Sequence, residues 1–481
     1  MRKLLLFILC ACALIGCKEY QVSDDPSLRL TFSHDTLSFD TVFTQQGSAT
    51  ATLIVYNPNR SALKIDRIWL EDGEAFRVNI DGEPDLDRIT NFTINGGDSA
   101  FVFIRISGDL GKRDGKEAVL IEDKLHFHLT SDITQDVLLQ AYGQNAIRIG
   151  HVGCNRTEEA GDYTFTADTP YIVFDTLIIG GTLTINPGSR IYMHQGACIY
   201  ALGDVLAKGS KEQPILIRGD RLDHLFDSVP YLYAGGSWNG IYLQAETKQT
   251  YSFNYVDILS GNIGLYCFST CTADLPQLTM NGCRIHNHTQ YGLVLQHVDA
   301  VVSNTEISNC ALNCVYCEGG KHEFYHSTIA SYFGYTNIRI QSAAKENVSA
   351  VYIDNLSKVA PQTTTSFYNS IITGYLSDQL LVATPFDQYY PGTFMGNYLK
   401  TDTLAIPHAS NNVYWQESDT AELFVNDFYK YKEYIYYDFH LDSLSPAIGI
   451  GDSITALSYP MDRDGISRSD IRPDAGCYQH E

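Results

Sequence analysis

Between Leu28 and Gln144 apolar and polar residues alternate in short runs, among them Leu28-Arg29-Leu30-Thr31-Phe32, Ala51-Thr52-Leu53-Ile54-Val55-Tyr56 and Phe101-Val102-Phe103-Ile104-Arg105-Ile106. A period of two sends alternate side chains to opposite faces, so each run predicts a strand with one face on a core. Asn57-Pro58-Asn59 and Asn95-Gly96-Gly97-Asp98 punctuate the runs as turns. Roughly seven such strands predict a β-sandwich. Beyond Tyr142-Gly143-Gln144 the texture changes. Isoleucine recurs as Ile258, Ile285, Ile307, Ile329 and Ile372, at gaps of 27, 22, 22 and 43, each after a short run containing Asn, Ser or His. A repeat of about 22 residues predicts a parallel solenoid whose successive coils lie ~4.8 Å apart, with the last gap spanning two coils. On that register the isoleucines point into the lumen. Their neighbours Asp257, Arg284, Glu306 and Thr328 on one side, and Leu259, His286, Ser308 and Ala330 on the other, face outward.

The first residues follow a different rule. Arg2-Lys3, an apolar stretch from Leu4 to Ile15, and Gly16 before Cys17 have the layout of a secretory signal, too short for a stable membrane span. No later segment approaches the ~18 consecutive apolar residues that spanning requires. Removing residues 1–16 leaves 465 residues, too many for one ordinary core, so more than one domain is expected. An apolar content of 44% with 12% aromatic residues excludes a disordered chain. Without Arg2 and Lys3 the chain carries 31 basic against 56 acidic residues, a formal charge of −25. That excludes nucleic acid and anionic lipid as partners and disfavours polyuronates, leaving neutral glycan or protein. Nine cysteines follow Cys17, an odd number that does not suit a disulfide framework. Cys310, Cys314 and Cys317 have the spacing of a radical iron-sulfur loop. Their strand-like surroundings favour small apolar core filler over that cluster, a local disulfide or zinc.

Three stretches resemble known families. Leu14-Ile15-Gly16-Cys17 resembles the lipobox of bacterial lipoproteins, which implies acylation of Cys17 and anchoring through two or more chains. The polar tether Lys18 to Pro26 looks like the acidic export signal of Bacteroidetes lipoproteins, so the outer membrane is expected, on its periplasmic or cell-surface face. Asp40-Thr41-Val42-Phe43, Tyr56-Asn57-Pro58 and Gly97-Asp98-Ser99 are similar to the immunoglobulin-like sandwiches related to the abnormal-spindle and Hydin modules, which implies a spacer or a protein-binding unit. Leu177 to Ser189, Ile191-Tyr192-Met193, Leu206 to Ser210, Pro214 to Ile217 and Trp238-Asn239-Gly240-Ile241 resemble the opening coils of right-handed parallel β-helices of the pectate-lyase-like superfamily. Leu444 to Gly449, Asp462 to Gly465, Arg468 and Pro473 to Tyr478 resemble the closing segment of such helices, which implies a cap for an open edge. The expected organisation is all-β: signal 1–16, tether 17–27, immunoglobulin-like sandwich 28–145, right-handed β-helix 146–445 and cap 446–481.

Candidate chemistry falls on two groups. Asp257 and Glu306 lie two coils apart, roughly 10 Å, near the separation of an inverting glycosidase pair, with Arg284 between them and His286 adjacent. An arginine between two carboxylates is more simply an ion-pair ladder, and it lowers both carboxyl pKa values, the wrong direction for a general acid. Tyr231, Tyr233, Trp238 and Tyr242 flank a Gly-rich loop and offer flat rings on which sugars stack. Trp238 also suits a packing position. Asp462-x-Asp464-Gly465 lacks the remaining ligands of a calcium loop, so neither a metal nor a cofactor is expected. The pattern thus points to an anchored, non-catalytic glycan-binding β-helix, with a polysaccharide lyase or glycoside hydrolase, or a protein-binding adhesin or scaffold, as alternatives.

Overall fold

The computed structural model describes residues 21–480 apart from 45, 107–117, 160, 227–228, 334–347, 357–362, 384–391, 402–407, 417–420 and 427–436. The signal, Cys17 and the first tether residues lie outside the described residues. The chain divides into two compact units, Met1–Asn145 and Ala146–Glu481.

The first unit is a β-sandwich. Among the described residues, one sheet runs in the order Thr31–Phe32, Ala51–Tyr56, Ser99–Ile106, Phe76–Ile80. The other runs Thr36–Phe43, Ile133–Gln144, Val119–Leu129, Leu63–Leu70, Phe92–Ile94. The alternation read from sequence becomes the buried set Leu53, Val55, Val102, Ile104, Leu125, Phe127, Val137 and Leu139 between the sheets.

The second unit is a parallel β-helix. Sheet 1 holds eleven described strands, from Ile147–Ile149 to Val413–Tyr414. Sheet 2 holds nine, from Arg156–Glu159 to Leu380–Ala383, and sheet 3 holds ten, from Tyr163–Phe165 to His408–Ser410. Ile191, Ile217, Ile258, Ile285, Ile307, Ile329 and Ile372 pair in direct register down sheet 1, and all are buried. The 43-residue gap, expected to hold two coils, is one: Ile329 pairs directly with Ile372. Residues inserted between the strands Thr328–Ser331, Ser349–Asp354 and Thr363–Tyr368 lengthen that coil without altering its strand register. The nine cysteines carry no disulfide, and Cys267, Cys283, Cys310, Cys314, Cys317 and Cys477 are buried. Burial pushes the Cys283 and Cys317 thiols up to about 12, which keeps them protonated and unreactive.

The corner between sheets 3 and 1 repeats coil after coil. Gly282, Asn304, His326, Asn369, Gly396 and Asn411 all have φ between 43° and 70°, a left-handed turn that Gly and Asn adopt at low cost. The residue after each one joins a ladder along the stack. The backbone N–H of Cys283 donates to Thr305 Oγ1 at 3.3 Å, Ser327 to Ser370 Oγ at 3.1 Å, Ser370 to Asn397 Oδ1 at 2.7 Å and Asn397 to Asn412 Oδ1 at 2.9 Å. Short polar side chains at the corner therefore satisfy backbone donors that burial would otherwise leave unpaired.

The closing segment, expected as a cap, is fastened along the outer flank of sheet 1. Arg463 Nη2 donates to Asp257 Oδ1 at 2.8 Å, Arg468 Nη2 to Asn304 Oδ1 at 2.9 Å, and the Cys477 N–H to Thr328 Oγ1 at 3.0 Å. Further along, Asn369 donates to the Asp452 carbonyl at 2.8 Å and accepts from its N–H at 2.6 Å. The outward polar residues that looked solvent-facing in sequence are the footing of this strap.

Candidate functional site

Sheet 1 stacks Asp257, Arg284 and Glu306 on successive strands, in direct register. Every oxygen of Glu306 is used: Oε1 accepts from Arg284 Nε at 3.2 Å and Ser308 Oγ at 2.6 Å, and Oε2 from Tyr478 OH at 2.7 Å. Because Ser308 spends its proton on Glu306, its oxygen accepts from His286 Nδ1 at 2.7 Å, which assigns the imidazole proton to Nδ1. Burial alone would raise the Glu306 carboxyl, but Arg284, His286, Arg463 and the Ser308 hydrogen bond together outweigh it and hold the group at about 2. Burial pushes His286 down to about 3. Asp257 is raised by burial against the opposing charges of Arg463 and Arg284, and it is engaged by Arg463. A general acid must hold a proton near neutral pH and reach its substrate. Glu306 is 2% exposed, ionised and fully bonded, so the geometry here is that of an ion-pair lock beneath the strap.

The aromatic candidates separate. Trp238 is fully buried in the core, where its Nε1 donates to the Leu259 carbonyl at 2.9 Å, so it is packing and not a stacking platform. Tyr231 and Tyr233 bound a half-buried 3-10 turn. Arg221 lies over the Tyr231 ring at 4.3 Å, and the Tyr233 carbonyl accepts from Asn287 Nδ2 at 2.8 Å, which pins the loop to the coil beneath. Tyr242 belongs to a column that single-residue inspection missed. Ile178, Tyr200, Tyr242, Tyr266, Val294, Tyr316, Tyr352 and Leu381 pair in register along the outer face of sheet 2.

The tyrosines stack on one another. The Tyr200 and Tyr242 rings are 4.6 Å apart and 9° from parallel, and Tyr316 and Tyr352 are 5.6 Å apart at 27°. Burial and the neighbouring Tyr200 push Tyr242 up to about 12, so its hydroxyl stays a donor. A ring stacked on both sides offers a ligand only its edge. At Tyr200 the column of rings ends, because Ile178 takes the next coil. There the surface opens into a recess of about 530 Å³ lined by Thr176, Ile178, Tyr200, Leu202, Gln244, Glu246, Thr247 and Gln249. Gln249 Nε2 donates to the Leu202 carbonyl at 2.6 Å and fixes the far wall. The lining combines the apolar Ile178 and Leu202 with the amides of Gln244 and Gln249 and the hydroxyls of Thr176, Tyr200 and Thr247, and Glu246 is its sole charged side chain. The signal for the column was present as a recurring apolar-Tyr-apolar triplet: Ile199-Tyr200-Ala201, Ile241-Tyr242-Leu243, Leu265-Tyr266-Cys267, Val315-Tyr316-Cys317, Val351-Tyr352-Ile353. Among the described residues no group of three or more His, Cys, Asp or Glu side chains is placed to hold a metal.

No family model matches the chain, and no curated protein matches it. Solved structures are similar over about a quarter of its length. One is a protein of unknown function from Porphyromonas gingivalis W83, 12% identical over 26% of this chain and 50% of that one, with a TM-score of 0.20. A family 123 glycoside hydrolase from Clostridium perfringens is 7% identical over 24% of this chain and 27% of its own, with a TM-score of 0.19. The E. coli chaperone DraB is 14% identical over 26% and 57%, with a TM-score of 0.17. Likenesses this low leave fold and activity to be read from the chain itself.

Proposed function

We propose that this protein is a lipid-anchored envelope protein of the pectate-lyase-like kind whose β-helix binds a neutral glycan without cleaving it. The observation that carries the reading is the recess where the tyrosine column ends. A ring, apolar side chains and amides and hydroxyls in one lining are what a pyranose needs: apolar contact for its C–H face and bonding partners for its hydroxyls. The lining contains no cation to pair with a uronate, and the net charge of the chain repels polyanions. Non-catalysis is favoured because Glu306 and Asp257 are engaged by Arg284, Tyr478 and Arg463. A glycan array on residues 27–481, followed by calorimetric titration of the best neutral oligosaccharide, tests the reading. Tyr200→Ala and Gln244→Ala should each weaken binding about tenfold, and no new reducing ends should appear on overnight incubation. Unchanged binding in both variants would sink the recess as the site, and cleavage would sink the non-catalytic reading.

A protein-binding scaffold is the second reading. It is favoured by Leu444, Ile454, Leu457 and Ile471, which are 67–84% exposed on the closing segment.

A further inference from the structure

The N-terminal end of the described chain is pinned to the body of the sandwich. Val22 bridges Ala62 in parallel, with the Ser23 N–H donating to the Ala62 carbonyl at 3.0 Å and the Ala62 N–H to the Gln21 carbonyl at 3.1 Å. Asp24 Oδ1 accepts from Thr130 Oγ1 at 3.0 Å. Ala62 immediately precedes the strand Leu63–Leu70, and residues 130–132 form the turn between Val119–Leu129 and Ile133–Gln144, so these ties gather at one pole. The turns 57–61 and 95–98 share that pole: the Asn57 N–H donates to the Asp98 carbonyl and the Gly97 N–H to the Asn57 carbonyl, both at 2.9 Å. They approach so closely that a Cβ on Gly96 would lie 2.3 Å from the Arg60 carbonyl oxygen.

The chain leaves the sandwich at the other pole. The hairpin pairs without slip from Leu129 opposite Ile133 to Val119 opposite Gly143, and Gln144 then pairs with Phe43. Ten residues of strand rise cover ~34 Å. The five residues from Cys17 to Val22 reach at most ~18 Å. An anchor at Cys17 therefore keeps the pole that holds Val22 within ~18 Å of the bilayer while Val22 stays paired, and the tether sets no such limit on the far pole ~34 Å away.

Resting on the proposed acylation of Cys17, we infer that the pole built from residues 22–25, 57–62, 95–98 and 130–132 is seated against the lipid bilayer, and that the chain departs toward residue 146 from the pole facing away. The occupant is a zwitterionic lipid surface. Exposed Arg29 and Arg60 stand beside exposed Asp24, Asp25, Asp98 and Asp132, a mixed set that suits a zwitterionic headgroup layer. The short tether, not surface affinity, holds the pole in place.

The test uses full-length acylated protein in phosphatidylcholine vesicles, with Cys154→Ser and Cys271→Ser removing the partly exposed thiols. A fluorophore is attached at Pro58→Cys on the near pole or at Ala49→Cys on the far one, and a lipid-borne headgroup quencher is added. Quenching at position 58 should exceed that at position 49 several-fold, and inserting a ten-residue Gly-Ser segment after Lys18 should erase the difference. Equal quenching at both positions, or stronger quenching at position 49, in protein that co-floats with vesicles overturns the orientation alone. Failure of the unmodified protein to co-float overturns the anchoring and the orientation together.

Discussion

Glu306 shows how one residue changes meaning with its surroundings. Outward-facing in the strand, it looks like half of an acid pair; under the strap it is an ionised anchor for Arg284, Ser308 and Tyr478. Glu306→Ala should cost about 3–5 kcal/mol, because it leaves Arg284 charged and unpaired, whereas Tyr478→Phe should cost about 1–3 kcal/mol. Urea denaturation of both variants checks the ranking, and a neutral Glu306→Ala would show that the carboxylate is not held as described. Acid should weaken the same network. Burial holds His286 and His322 down at about 3 and His288 at about 4, and Arg284 helps hold Glu306 at about 2 against its burial. Between roughly pH 6.5 and 3 the unfolded chain then binds more protons than the folded one, so stability falls as pH falls. Calorimetry should give a lower Tm at pH 5 than at pH 7, and a flat profile would mean these histidines are not kept neutral by the fold.

At the scale of the element, the coil is built from three short strands and a polar corner, and its tolerance to change differs sharply between them. Ile307 stacks between Ile285 and Ile329 in a buried apolar column. Ile307→Asp should abolish cooperative unfolding of the solenoid, while Ile307→Val should cost only about 0.5–1.5 kcal/mol. Circular dichroism melts of the two variants separate these outcomes, and a cooperatively folded Ile307→Asp protein would contradict the buried isoleucine column. Asn369 does three jobs at its corner. It adopts φ of 49°, its side chain faces His326 Nε2 at 3.1 Å, and it holds both backbone groups of Asp452. Asn369→Ala should therefore loosen the strap before it disturbs the coils, seen as faster amide exchange at Gly451 and Asp452 than at Ile371 and Ile372. Uniform exchange across both would contradict a separable strap.

For the whole molecule the predictions concern location. Cys17→Ala should release the protein from membranes without lowering its Tm, and fractionation with a thermal melt checks both halves. Retention of the variant on membranes would remove the anchoring claim.

The sequence by itself determined the two-part all-β architecture and the isoleucine register, because both are local periodicities: alternation of two within a strand, and an inward isoleucine that recurs at about 22 residues where no insertion lengthens the coil. It also carried the tyrosine column, as a triplet that recurs in five coils and is interrupted at Val294, although no single tyrosine announces it. The tertiary structure alone decided which outward residues meet solvent. Asp257 and Glu306 lie about 160–220 residues before Arg463 and Tyr478 in the chain, and no local pattern signals that a distant strap will lie across them. The 43-residue gap misled for a related reason: insertions between strands change sequence spacing while hydrogen bonding keeps the register. Trp238 was ambiguous because a ring beside a Gly-rich loop can turn either way, and only the packing of the neighbouring coils put it in the core.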